Sequence, residues 1–173
     1  MVSQRLIAIV RAVIRDREGP WMAEQDFAAI PEAVTDIRSW ASALVAEGCI
    51  PRDDLLIVVS ELVGNIVEHG NEGGITFTLS HSGEGLVASI VHHAPPPEDV
   101  PDIPLGIAAE IGGLFALGDE RPDDGLIAGL SENGRGLFTV AVLTGGSMKI
   151  SHDPDRTVLR WVHGDCRCKV RAQ

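Results

Sequence analysis

Residues 53–70, DDLLIVVSELVGNIVEHG, decide how this chain is read. The stretch has the period of a helix. Leu55, Val59, Leu62 and Ile66 fall on one apolar stripe, while Asp54, Glu61, Asn65 and His69 share another. A carboxylate, a carboxamide and an imidazole one turn apart can meet a common ligand without bending the helix. A carboxylate can take a proton, and an amide oxygen suits a hard cation such as magnesium. An ordinary surface helix with a solvated polar face has the same pattern, so the helix alone does not choose.

Further along, residues 131–145 read SENGRGLFTVAVLTG, where Gly134-Arg135-Gly136 opens a second apolar run through Leu137, Val140 and Ala141. Glycines directly before a helix let the backbone approach an anion, and the free N–H groups and helix dipole then point at it. Alone, the same run is a loop ending in a helix start. Paired with the first helix, it reads as the second half of a nucleotide site.

With both stretches in view, the chain resembles the GHKL (Bergerat-fold) ATPases. ELVGNIVEHG (61–70) is similar to their N-box and GRGLF (134–138) to their second glycine box. Within that group the resemblance is to the anti-sigma-factor serine/threonine kinases of the RsbW type, over roughly residues 22–163. It implies an α/β (α+β) two-layer sandwich of the histidine-kinase-type ATPase fold, with a mixed, mostly antiparallel sheet on about three helices. It also implies ATP and magnesium as cofactors. Asn65 would hold the metal, Gly134, Arg135, Gly136 and Leu137 would line the phosphate end, and Glu61 would be the catalytic base. That base would take the proton from a serine or threonine hydroxyl on a STAS-domain anti-sigma-factor antagonist. Phosphoryl transfer of this kind is mostly positioning and charge neutralisation, with a general base adding about 10²- to 10⁴-fold.

One departure from the family pattern is specific. After the strand ending near Val91, the family has an aspartate that accepts a hydrogen bond from the adenine amino group, then one residue, then a glycine. Here residues 90–102 read IVHHAPPPEDVPD. Aligning Pro95 with the proline that often follows the glycine puts His92 at the aspartate and Ala94 at the glycine. A slip of one residue chooses His93 and Pro95 instead. A neutral imidazole still accepts one hydrogen bond but brings no charge. Loss of a charge-assisted bond lowers affinity by about 10- to 100-fold, so nucleotide binding is expected to be weakened rather than abolished. Thr157 falls where the family often has a threonine at the adenine end, and an inward threonine on a strand is also common without any such role. His92 and His93 have no third ligand at metal spacing.

Three functions follow from these readings. The first is an RsbW-like kinase that also binds its partners stoichiometrically. The second is an adaptor on the same fold that grips a sigma factor or STAS partner without turnover. The third, the catalytic half of a sensor histidine kinase, is disfavoured because the first histidine is His69, inside the N-box.

Composition agrees with one compact domain. The chain has 173 residues, 45% of them hydrophobic, and carries a formal net charge of −11. That charge argues against nucleic acid as a partner; it is either a plain solvated surface or a field that steers a basic protein. No apolar run approaches a membrane span, and the N-terminus lacks a long apolar signal region, so a cytoplasmic protein is expected. Cys49 reads as a small buried apolar residue, and Cys166 and Cys168 as incidental.

Residues 1–20 are expected to be an extension with an amphipathic helix over 3–16, which could pack on its own domain or in a homodimer. The domain proper is expected over 21–165, with a tail at 166–173. Within it the pattern predicts a strand from Trp21 to Ala29 and a helix from Ile30-Pro31 to Gly48. The N-box helix should run from Pro51 to Gly70, followed by strands over Ile75–His81 and Leu86–Val91. Residues 94–133, with five prolines between Pro95 and Pro104, read as an irregular lid holding a short helix at Leu105–Leu117. Ser147–His152 and Arg156–His163 close the fold as a hairpin.

Overall fold

A computed structural model describes residues 11–13, 21–45, 51–82, 85–96 and 132–164. The elements are β1 (Arg11–Val13), β2 (Trp21–Ala28), α1 (Ala33–Leu44), α2 (Pro51–His69), β3 (Gly74–Ser82), β4 (Gly85–His93), α3 (Glu132–Leu143), β5 (Lys149–Asp153) and β6 (Arg156–His163). The strands form one six-stranded sheet in the order β1-β2-β3-β4-β6-β5. Every pair is antiparallel. The two-layer α/β sandwich is as expected, but the parallel component of a mixed sheet is absent among the described strands.

Alternation along the strands makes one side of the sheet apolar. Ile75, Phe77 and Leu79 of β3, Leu86, Ala88 and Ile90 of β4, and Leu159 and Trp161 of β6 are buried on that side. The helices meet them with Ile37 and Ala41 of α1, Leu55, Val58, Val59, Leu62 and Val63 of α2, and Val140 of α3. Leu55, Val59 and Leu62, three members of the stripe read from the sequence, are buried, and Ile66 packs against the same core. Trp40 of α1 lies edge-on to Phe27 (6.2 Å between ring centroids) and to Phe77 (5.7 Å), fixing α1 over β2 and β3. Arg52 at the start of α2 donates to the Ser42 hydroxyl at 2.6 Å and so ties α2 to α1.

Several boundaries differ from the sequence reading. Arg11–Val13, expected inside a helix over 3–16, is instead an edge strand paired with Met22–Glu24. Its β-branched Val13 and the open edge of β2 favour that pairing over an isolated helical turn. Helix α1 stops at Leu44 rather than Gly48, because Val45 turns extended (φ −93, ψ 126) and buries its side chain. Helix α3 begins at Glu132, so Gly134 and Gly136 lie inside its first turn and a half rather than before it. Each glycine weakens a helix by about 1 kcal/mol, and packing of α3 on α2 offsets this. The expected lid helix at Leu105–Leu117 and all three cysteines lie outside the described residues.

Gly85 shows why glycine is needed where β4 begins. Its φ is +108, and a Cβ there would fall on the carbonyl oxygen of His163 in the neighbouring strand.

Candidate functional site

Antiparallel register puts directly paired residues on the same side of a sheet. One row on the helix-facing side runs Phe27, Ile75, His92, Thr157, His152 across β2, β3, β4, β6 and β5. His92 and Thr157, singled out separately from the sequence, are therefore cross-strand neighbours, although more than sixty residues separate them in the chain. Thr157 is half-buried, and its hydroxyl lies 3.0 Å from His152 Nδ1.

Of the two histidines that could occupy the aspartate position, only His92 faces the helices, where it is 4% exposed. His93 points to the other side of the sheet. There its Nε2 lies 2.7 Å from the Thr76 hydroxyl, which donates in turn to Asp26 at 2.6 Å. The pair therefore does not converge on a common ligand.

His92 is held by the turn that follows α2. Its Nε2 lies 3.0 Å from the carbonyl oxygen of Asn71. A carbonyl only accepts, so Nε2 carries the hydrogen. Burial is the main cause that lowers its pKa below the ordinary histidine value; the Asn71 hydrogen bond opposes this and the neighbouring His93 adds to it. The ring is thus neutral near pH 7 and its Nδ1 is an acceptor. A Cβ on Gly70 would stand 3.0 Å from His92 Cε1, so glycine at the end of α2 leaves the room the ring uses. The Asn71 side-chain amide also donates to the Pro95 carbonyl at 2.8 Å. Ala94 is buried, and a Cβ on Gly73 would stand 3.1 Å from the Ala94 methyl. The turn 70–73 and the end of β4 form one stitched unit. Sequence reasoning missed Asn71, since its contribution is a backbone carbonyl whose partner is set only by the tertiary fold.

The second cluster lies between α2 and α3. Glu61 and Asn65 are one turn apart on α2, both half-buried. Gly136 of α3 sits directly against the Glu61 carboxylate: an added Cβ would fall on Glu61 Oε2 and stand 3.4 Å from Cδ. The structure thus brings Glu61 and the Gly134–Gly136 stretch together, the two segments that the sequence reading paired. Because α3 starts at Glu132, the Gly134 N–H is among its free amides, whereas the Gly136 N–H falls within the helical ladder. Gly136 contributes clearance, and Gly134 the open amide. Leu137 packs against the core. Arg135 lies on the same helix, but its side chain is outside the described residues.

The remaining members of the polar stripe part company. Asp54, seven residues before Glu61 and about 10 Å away along the helix, acts electrostatically on His163 at the other end of the sheet. His69 is exposed at the helix end, 3.8 Å from Glu68. Neither joins Glu61. Among the described residues no helix is long and apolar enough to cross a membrane.

The model of the histidine kinase-like ATPase domain family matches residues 27–162, and the chain belongs to that family. No curated protein matches it.

Proposed function

We propose that the chain is an ATP-dependent protein serine/threonine kinase of the RsbW type. It would act in a bacterial partner-switching system and phosphorylate a STAS-domain anti-sigma-factor antagonist. The observation that carries this reading is the placement of Gly136 against Glu61. A carboxylate able to act as base lies against the first turns of α3, so close to Gly136 that an added methyl group would collide with it. That arrangement fits a nucleotide's phosphates, so the residues present suit magnesium–ATP.

When bound, magnesium–ATP supplies an electrophilic phosphoryl group whose charge the metal offsets. Asn65 would hold the metal. The free amides at the start of α3, Gly134 among them, and the helix dipole would attract the phosphate chain, with Arg135 following in the same helix. Glu61 would take the proton from the attacking hydroxyl. His92 and Thr157 would hold the base end.

A second reading rests on His92 itself. With a neutral imidazole where the family carries a carboxylate, the chain would be an adaptor that regulates a sigma factor or STAS partner by contact alone. Calorimetric titration of magnesium–ATP, with Asn65→Ala as control, decides between them. Saturable binding that the substitution removes supports the kinase reading. Absence of heat in both proteins leaves the adaptor.

A further inference from the structure

Strand β5 closes one end of the sheet, and among the described residues no strand pairs with its outer edge. The bonds of its neighbour decide which of its peptide groups face that edge. The Ser147 hydroxyl donates to the Val162 carbonyl at 2.8 Å and accepts from the Val162 N–H at 3.0 Å, so the backbone of β6 at Val162 points to the β5 side. This direction alternates along a strand. Arg160, Val158 and Arg156 therefore bond to Lys149, Ser151 and Asp153. Ile150 and His152 turn their N–H and carbonyl groups outward.

The side chains along this edge are ordered by charge. Lys149, Ser151 and Asp153 share the side of the sheet away from the helices, with a base at one end, an acid at the other and a hydroxyl between. Lys149 stands directly opposite Arg160, and both are exposed. Like charges so placed repel. Charged residues on an edge normally bar indiscriminate pairing, but these leave one arrangement favourable. Two such strands paired parallel and in register would set base on base and acid on acid. Paired antiparallel about Ser151, they set each Lys149 beside the partner's Asp153.

We propose that β5 is a self-association edge, through which two copies of this chain pair antiparallel about Ser151 and continue one sheet into the other. In that arrangement Ile150 exchanges backbone hydrogen bonds with the partner's His152, and His152 with the partner's Ile150. Lys149 lies between Arg160 and the partner's Asp153, which relieves the like-charge contact. Ser151 meets its own copy on the two-fold axis. One short strand per copy makes a small interface, so the dimer is reversible and depends on concentration. Nothing in this proposal depends on the nucleotide reading.

The test is sedimentation velocity of the full chain from micromolar to millimolar concentration. Lys149→Glu and Asp153→Lys should each weaken the dimer by about 10-fold. Net charge alone predicts the reverse for Asp153→Lys, since that change makes an acidic chain less self-repelling. An equimolar mixture of the two variants should recover the original association, because the new acid of one then faces the new base of the other. As a second readout, Ser151→Cys should oxidise to a dimer whose bridge mass spectrometry maps to position 151 in both chains. Residues paired there would stand about 4.5 Å apart at Cα, within reach of a disulfide. A chain that stays monomeric throughout, a dimer indifferent to both charge variants, a mixture no tighter than either variant alone, or no bridge at position 151 would overturn the proposal.

Discussion

The helix-facing side of the sheet carries a buried histidine at each end, and the two are bonded in opposite senses. His92, at one end, donates through Nε2 to a backbone carbonyl. His163, at the other, is also 4% exposed, but its Nε2 lies 2.9 Å from the indole nitrogen of Trp161. An indole N–H only donates, so His163 accepts at Nε2 and carries its hydrogen on Nδ1. Burial lowers both pKa values. Residue type and burial are therefore the same, while the chemistry offered differs. His163 is bonded into the largest ring of the core, whereas His92 is tied to the turn that follows α2 and keeps its Nδ1 unprotonated. Helix α2 reaches both ends, with Asp54 near His163 and Glu61 near Gly136. One polar stripe thus serves two regions with different tasks.

The largest effect expected separates the two carboxylates of that stripe. Glu61→Gln should lower phosphate transfer to a hydroxyl-bearing partner by about 10²- to 10⁴-fold, and Asp54→Asn should leave it nearly unchanged. Equal losses from both in a radiolabelled transfer assay would break the division of the helix.

Next in size is the stability difference between the ends. His163→Ala leaves the Trp161 N–H buried without an acceptor and opens a cavity, which should cost about 2–4 kcal/mol. Urea denaturation should register this as an earlier midpoint, while the folded fraction retains nucleotide affinity. Gly136→Ala acts on the opposite end: its methyl group displaces the Glu61 carboxylate, at about 1–3 kcal/mol of overpacking. ATP affinity should fall, together with a drop in melting temperature of about 2–4 °C per kcal/mol of that cost.

The smallest effect is in pH dependence. Both imidazoles are neutral in the fold at a pH where the unfolded chain, with a histidine pKa of about 6.5, already binds protons. The unfolded state then holds more protons, so stability is fully present above that pH and falls as pH drops through the lowered folded values. Replacing either histidine should make the decline shallower. Asp54 raises the His163 pKa against the effect of burial, so Asp54→Asn should carry the decline slightly further into acid. A melting-temperature profile indifferent to pH below that range would contradict the neutral assignment of both rings.

The sequence made the scaffold readable wherever the pattern was local. The period of α2, the proline at its start, the glycine after its end and the alternation of β3, β4 and β6 all have short-range signatures, and they hold in the structure. The pairing of Glu61 with the second glycine box came from the resemblance, and the Gly136 contact gives it a physical form. What could not be read depends on contacts between distant parts of the chain. The Asn71 carbonyl that fixes the His92 tautomer and the Trp161–His163 bond both need the folded sheet. So does the choice between His92 and His93, since adjacent strand residues are distinguished only by which side becomes the core. The early start of α3 also escaped, because two glycines in five residues argue for a loop until α2 is packed beside them.

The order of strands has a consequence for how the molecule assembles. The pairs β1–β2, β3–β4 and β5–β6 join neighbours in the chain, whereas β2–β3 and β4–β6 close long stretches of sequence. Local pairs form quickly and distant ones late. His92 is therefore set opposite Ile75 in an early hairpin, and Thr157 reaches it only when the C-terminal hairpin docks on β4. The His92–Thr157 pair thus joins two hairpins that are each local in the chain, and a nucleotide bound there as proposed would act as a clasp on their docking.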